Sequence, residues 1–518
     1  MEKNKKEFIR SRNCADIYVE SSTEYALPDY SAEVRKILYT DAYARPAGKF
    51  IGEGEAEFSG IVEYNIIYSD GEGRICGATF TSDYDYSVKC SSDITEDAYA
   101  DTRVANFAVR LVGPRKISAK ASVQGSVVLC QRETASVSGS AFDDESSVEI
   151  LNKNIMIHSG GHSALMEREY AEKLVSLDGA IADEVHVVYS GANMAIDDIE
   201  VGENSVSLNG KVKMYAVIRN GDSPAYLAHK EIEVLETVTF ERADEYMSHV
   251  PCANTVSVKA NINPTDTGSD VTLSAVIELG IRGEKNTPVS LVSDAYMQSC
   301  VTENIYEDFT YCEYLGMPRL FAEVNGEIDR GQVEIDNLRE VVYMSATPKI
   351  DNVEIGEDGV NISGEVRFAG VVSAIQDDGK VIYSNVKMTA PFNENVNITC
   401  QNCEKIDLKP NVSLDDIIGN IDENKVRASC KISIACAAIE EKTVRRISEC
   451  AAREDLPFEK TGARVVVYYP NAGETVFSVA KKFHTSVKKV ASENSLTGEV
   501  MAGGQEFSLG GVKRLIIS

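Results

Sequence analysis

Residues 196–210, IDDIEVGENSVSLNG, recur as residues 350–364, IDNVEIGEDGVNISG. The offset from Gly210 to Gly364 is 154, and a weaker copy ends at Gly60, 150 residues before Gly210. Two separate landmarks keep these offsets: Tyr39, Tyr189 and Tyr343, and Ala42, Ala192 and Ala346. A spacing shared by independent segments is the mark of an internally repeated unit. It predicts three copies of one domain.

Each copy reads as strands. Around Gly210 the apolar residues are Val206, Leu208, Val212, Met214, Ala216 and Ile218, with Ser207, Asn209, Lys211 and Lys213 between them. Period-two alternation places one face on a core and the other in water. The third copy has Val360, Ile362, Val366, Phe368 and Val372 in the same pattern, and the first has Phe58, Val62, Tyr64, Ile66 and Tyr68. The even offset of 154 preserves that parity, as a common register requires. Turns rich in Asp and Gly follow at 69–71, 220–222 and 377–379, which is hairpin chemistry. Another alternating run closes each copy, such as Val271, Leu273, Ala275, Ile277 and Leu279. Five or more antiparallel strands per copy predict a sandwich-like all-β module. The best helix candidate in this region is 164–177, leading into the second copy.

Polar stretches set the expected boundaries. An N-terminal arm occupies 1–30, and the copies span 31–133, 151–296 and 321–450. Linkers are expected at 134–150, 297–320 and 451–463. The tail, 464–518, changes character. Residues 464–469 read as a short strand. Val476, Val479, Ala480 and Phe483 then fall at helical spacing, Thr485 or Ser486 suits the cap of a second helix, and 513–517 read as a strand. The tail is therefore expected to be β-α-α-β. The fold class is mainly β throughout.

Composition excludes several functions. The 518 residues carry 52 Lys and Arg against 81 Asp and Glu, a net charge of −29. Such a chain needs a strong local basic patch to hold nucleic acid, and none is visible. No run of 18 apolar residues predicts a membrane-spanning helix, and the charged start does not resemble a secretory signal. The expected location is the cytosol, where the 12 Cys are free thiols. Cys400 and Cys403 form one C-x-x-C without a second ligand pair at suitable spacing. His158 and His162 lie four apart around a Gly pair, and Gly161–Leu165 matches only part of a nucleophile elbow. No phosphate-binding loop occurs. No cofactor, no metal and no catalytic residue is expected, and the chain is not read as an enzyme.

The tail resembles a LysM domain. Gly473-Glu-Thr-Val476, Asn494, Gly504 and Gln505 stand at the places of that family's Gly-Asp-Thr-Leu turn, helix-ending Asn and Gly-Gln pair. Glu474 replaces the usual Asp, Val476 the usual Leu and Phe477 the frequent Trp. The three copies resemble SPOCS domains through V-x-I/L-x-G-x-V at 206–212 and 360–366. Tandem SPOCS-like repeats with a single LysM at the C-terminus resemble the SipL-like spore coat morphogenetic proteins. The first copy lacks the I-D-x-I/V-E-V/I-G segment.

This resemblance implies a non-enzymatic scaffold in the mother-cell cytoplasm at the forespore surface. Its implied partner is a coat base-layer ATPase of the SpoIVA type. It also implies a groove between two loops, formed here by Asn471, Ala472, Gly473, Glu474, Thr475, Val476 and Phe477 with Asn494, Ser495, Leu496 and Thr497. The alternative reading is that this groove binds peptidoglycan through N-acetylglucosamine. Val476, Val479 and Phe483 also read simply as the core of the small domain. Lys481, Lys482, Lys488, Lys489 and Lys513 make the tail locally basic and favour an acidic partner.

Overall fold

The computed structural model describes residues 5–52, 54–91, 93–136, 148–240, 247–356, 359–398, 405–422, 425–457, 465–496, 507–509 and 511–518. The protein is mainly β, built from antiparallel sheets with two short helices near the C-terminus.

The first unit contains β1 (Lys5–Asn13), β2 (Ile17–Ala26), β3 (Lys36–Ile51), β4 (Glu55–Ser69), β5 (Ile75–Lys89), β6 (Thr95–Gly113) and β7 (Lys116–Ser136). One sheet is the meander β3-β4-β5; in the other, β7 lies between β6 and the end-to-end pair β1 and β2. The second unit has β8 (Val148–Asp178), β9 (Val185–Gly202), β10 (Ser205–Asn220), β11 (Tyr226–Thr239), β12 (Ser248–Thr265) and β13 (Gly268–Met297). Its sheets are β9-β10-β11 and β12-β13-β8. The third unit has β14 (Cys300–Gly316), β15 (Arg319–Asp329), β16 (Leu338–Gly356), β17 (Gly359–Ile375), β18 (Val381–Val396), β19 (Ile406–Ile421) and β20 (Lys425–Pro457). Its sheets are β16-β17-β18 and β19-β20 with β14 and β15 sharing the far side of β20. The strand order is the same in all three.

Alternation explains each core. In the second unit Val206, Leu208, Val212, Met214, Ala216 and Ile218 of β10 and Val271, Leu273, Ala275, Ile277 and Leu279 of β13 are buried in one cluster. Gly60, Gly210 and Gly364 occupy matching places on the central meander strands. A Cβ there would lie 2.3, 2.1 and 2.1 Å from the carbonyl oxygens of Arg45, Ala195 and Lys349. The strand pairing shifts register beside each of the three. Glycine is what admits that close approach at a bulge.

Four expectations are corrected. Residues 164–177 belong to strand β8, not a helix, and pair with β13. Ala164, Met166, Tyr170 and Leu174 face the unit's core from that strand, so a period of two overrides the helical reading. Residues 300–316, within the expected linker, form β14 along β20. Their inward positions set Thr302 and Asn304 before Tyr306, Phe309 and Tyr311, so the apolar stripe is only partial. The arm at 1–30 supplies β1 and β2, and β20 runs to Pro457, inside the expected last linker. Residues 137–147 and 458–464 lie outside the described residues.

The units interlock twice. At the first junction β5 packs on β9, β11 on β16 and β18 on β3, which closes a ring. Leu38, Val188 and Val342, then Tyr39, Tyr189 and Tyr343, then Ile67, Val217 and Val371 form one buried cluster there. The ring centroids of the three tyrosines are 6.1, 5.1 and 4.7 Å apart. Polar bonds cross the same junction. Tyr39 Oη lies 2.9 Å from Ser345 Oγ, and Arg219 Nε donates to the Ile75 carbonyl at 3.1 Å.

At the second junction the long strands continue past the sandwiches as ribbons. Ile155, Ile157, Val289, Leu291 and Val444 pack between them, followed by Val292, Ala295 and Ile447. A buried carboxylate lies at the base of the ribbons. His158 Nε2 meets Glu284 Oε2 at 2.7 Å, and Arg282 Nε lies 3.2 Å from Glu284 Oε1. Tyr314 of the third unit stacks on His158, and the Arg282 guanidinium lies over Tyr99 of the first.

The tail consists of β21 (Val466–Tyr468), α1 (Val476–Lys482), α2 (Val487–Glu493) and β22 (Leu515–Ile517), with β21 and β22 antiparallel. Among the described residues no helix is long and apolar enough to cross a membrane.

Candidate functional site: the C-terminal tail

The tail folds around Val476, Phe477, Val479, Ala480, Val487, Val490, Ala491, Leu496, Leu509, Leu515 and Ile517. Local sequence dictates its helix starts. Thr475 Oγ1 accepts the Ser478 N–H at 3.1 Å, and Ser478 Oγ accepts the Thr475 N–H at 2.9 Å. This reciprocal capping box satisfies two donors that the helix cannot. Ser486, not Thr485, caps α2 and accepts from Lys489 N–H at 3.1 Å.

The turn after β21 is tied by Glu474. Its carboxylate accepts from Tyr468 Oη at 2.8 Å and from the Asn471 N–H at 2.8 Å. The Asn471 N–H is the main cause holding its pKa below the usual value. Asn471, Ala472 and Gly473 are exposed, and Gly473 turns the chain at φ +86°. Thr475 is half-buried, with its hydroxyl taken by the cap.

On the second loop, Asn494 Nδ2 donates to the carbonyls of Val490 and Ile516, each at 2.8 Å, and its Oδ1 accepts the Ile516 N–H at 2.6 Å. Ser495 is exposed at φ +60°. The first loop is tied to 507–509 and the second to β22. Thr497, Gly504 and Gln505 lie outside the described residues.

Three expected groove residues are not on a surface. Val476 is 0 % exposed, Phe477 2 % and Leu496 9 %. The reason for Phe477 comes from another part of the chain. Tyr296, at the tip of β13, meets the Phe477 ring edge-on with centroids 5.2 Å apart. Tyr296 is itself 1 % exposed, and its hydroxyl donates to the Thr485 carbonyl at 2.6 Å.

Lys481 Nζ meets both oxygens of Asp294 at 2.6 Å, and His484 Nδ1 lies 3.0 Å from the Met297 carbonyl. Asp294 also accepts from Tyr306 at 3.0 Å and Asn304 at 3.2 Å, both of the third unit. The tail is thus seated on the ribbon tip. Part of its basic character is spent inside the molecule, through Lys481. Lys482 bonds Tyr468 Oη at 2.9 Å, and Lys489 bonds the Ser518 carbonyl at 2.5 Å.

Nothing in the sequence singled out Asp294 or Tyr296, because both sit beside a polar stretch with no regular pattern. The exposed outward face of β21 was available from its sequence. Residues 465–469 are apolar at every position, so one face of a strand there must lie away from the core.

The other candidates dissolve in the structure. His158 and His162 lie on one strand, where residues four apart are separated by about 13 Å. Residues 161–165 are strand, not a strand-to-helix turn. Cys430 and Cys436 are buried on β20, and Cys400 and Cys403 lie outside the described residues. Among the described residues no group of three or more His, Cys, Asp or Glu is placed to hold a metal ion.

Compared with known proteins, the chain matches no family model, no curated protein and no solved structure.

Proposed function

We propose that the chain is a non-enzymatic assembly scaffold of the spore coat. Its LysM-like tail docks onto a coat base-layer ATPase of the SpoIVA type at the forespore surface, on the mother-cell side. The three units are the SPOCS-like repeats of that reading. The observation that carries it is the burial of Phe477 against Tyr296. The aromatic ring that could stack on a sugar is inside, which leaves the two loops with small polar residues and the backbone. A protein surface suits such a face better than a glycan does. The ribbon tip supports the same reading, since it holds the tail at a defined place, as presentation of a binding module requires.

The test is affinity capture from a sporulating-cell lysate, with the full chain beside one ending at residue 457. Truncation uncovers Tyr296, so a truncated chain carrying Tyr296→Ser controls for a newly apolar tip. Retention of the ATPase by the full chain and its loss from both truncated chains is the expected result. Cosedimentation of the full chain with purified sacculi, without ATPase capture, would replace this reading with N-acetylglucosamine recognition.

A further inference from the structure

The two edges of the β21–β22 pair are treated differently. On the β22 edge, the Asn494 side chain donates to the Ile516 carbonyl and accepts the Ile516 N–H. The amide therefore stands in for a neighbouring strand. Because Ile516 directs both backbone groups to Asn494, its cross-strand partner Val467 forms a non-hydrogen-bonded pair with it. Val467 must then direct its own N–H and C=O to the opposite edge. Val465 and Tyr469 share that parity. Among the described residues β21 pairs only with β22.

The side chains at these positions are also outward. Val465 is 56 % exposed, Val467 53 %, Tyr469 68 % and Ile516 42 %. Continuing the register by one residue sets exposed Arg514 opposite Tyr469. Tyr469 and Arg514 are residue types enriched at interface centres, and Val465, Val467 and Ile516 set an apolar strip beside them. The charge is one-sided too. Residues 464–518 hold seven Lys and Arg (Arg464, Lys481, Lys482, Lys488, Lys489, Lys513, Arg514) and four Glu, in a chain of net charge −29.

We propose that β21 is a docking edge that accepts an extended segment of an acidic partner protein as an added strand. Main-chain bonds to Val465, Val467 and Tyr469 would supply affinity, and the Val467–Tyr469–Arg514 face would read alternate side chains. A second copy of the tail is the less suitable occupant, since pairing two net-positive tails sets like charges together. The inference rests on the scaffold reading and specifies which surface of the tail carries it.

The test measures binding of the full-length chain to the purified coat ATPase. Val467→Pro removes the edge donor while leaving the β22 pairing intact, because that N–H is not used there. It is expected to weaken binding by about tenfold or more. Arg514→Glu is expected to weaken it several-fold, with an effect that shrinks as salt rises. Ser492→Ala, on the exposed side of α2 and outside both loops, is expected to bind as wild type. Tyr469→Ser leaves the backbone untouched and probes the same edge should Val467→Pro unfold the tail.

If the edge variants bind normally, the docking edge is wrong while the scaffold reading stands. If the wild-type chain does not bind the ATPase, both fall. If sedimentation shows a wild-type dimer that Val467→Pro dissolves, the occupant is a second copy and the proposal is overturned.

Discussion

Tyr189 donates its phenolic O–H to Asp41 across 2.7 Å, and the two residues belong to different units. Tyr39 donates to the same carboxylate oxygen at 3.1 Å from Asp41's own strand. A single buried carboxyl thus links two of the three tyrosines that hold the units together.

Burial pushes the Asp41 carboxyl up to about 6 from an ordinary 3.8, against the hydrogen bonds from Tyr189, Asn65 and Tyr39 that act to lower it. A raised folded pKa means that the folded state binds the proton more tightly than the unfolded chain. The stabilising contribution is complete below pH 3.8 and is lost as pH rises through about 6. Denaturant unfolding of wild type and Asp41→Asn between pH 3.5 and 7.5 should therefore diverge. Wild type should lose on the order of 3 kcal/mol relative to the variant over that range. A constant difference across the range would contradict this account.

Gly77 lets two units touch. A Cβ there would lie 1.7 Å from the Val188 carbonyl oxygen, whereas one at Gly71 would meet nothing within 4 Å. Gly77→Ala should cost about 1 to 3 kcal/mol by forcing β5 from β9, and Gly71→Ala should be near neutral. Calorimetry is expected to show the Gly77 variant melting in more than one step, as the units lose their common interface.

Burial raises the Glu284 carboxyl, but the hydrogen bond and charge of His158, with Arg282 and Lys409, outweigh it and leave the pKa below the usual 4.5. A depressed folded pKa gives stability that is complete above 4.5 and lost as pH falls through the folded value. His158→Phe removes the main partner of a buried charge and should cost about 3 to 5 kcal/mol at neutral pH. Below pH 4.5 the gap from wild type should narrow. A gap that stays constant or widens below pH 4.5 would show that His158 does not stabilise the carboxylate.

Asp294 fixes the tail through Lys481. Asp294→Ala should lower the opening free energy of α1 by about 1 to 3 kcal/mol, read as faster amide hydrogen exchange in 476–482. Lys482→Ala, which removes a contact internal to the tail, should leave exchange at the ribbon tip unchanged.

The all-β class was legible because alternation is a local property: Val206 to Ile218 announces its own strand. The order of elements in the tail was legible for the same reason, through caps such as Ser486. The junction between units was not. Tyr39, Tyr189 and Tyr343 were visible as a spacing, but spacing does not say that equivalent residues meet. One signal was available. In Ile66-Ile67, Val217-Ile218 and Val371-Val372 adjacent strand residues are both apolar, so both faces are covered. Ile66, Ile218 and Val372 enter their own cores, and Ile67, Val217 and Val371 enter the shared one. Phe477 was misplaced because its cover, Tyr296, lies far away in sequence and leaves no local trace.

The closing of the ring by β18 against β3 has a consequence for synthesis. Leu38, Tyr39 and Ile67 leave the ribosome early, while Val342, Tyr343 and Val371 are translated about 300 residues later. At about 5 to 20 residues per second, the first unit carries an uncovered apolar face for about 15 to 60 s. Nascent chains of the first two units should therefore be the stage at which this protein is most dependent on chaperones and most prone to aggregate.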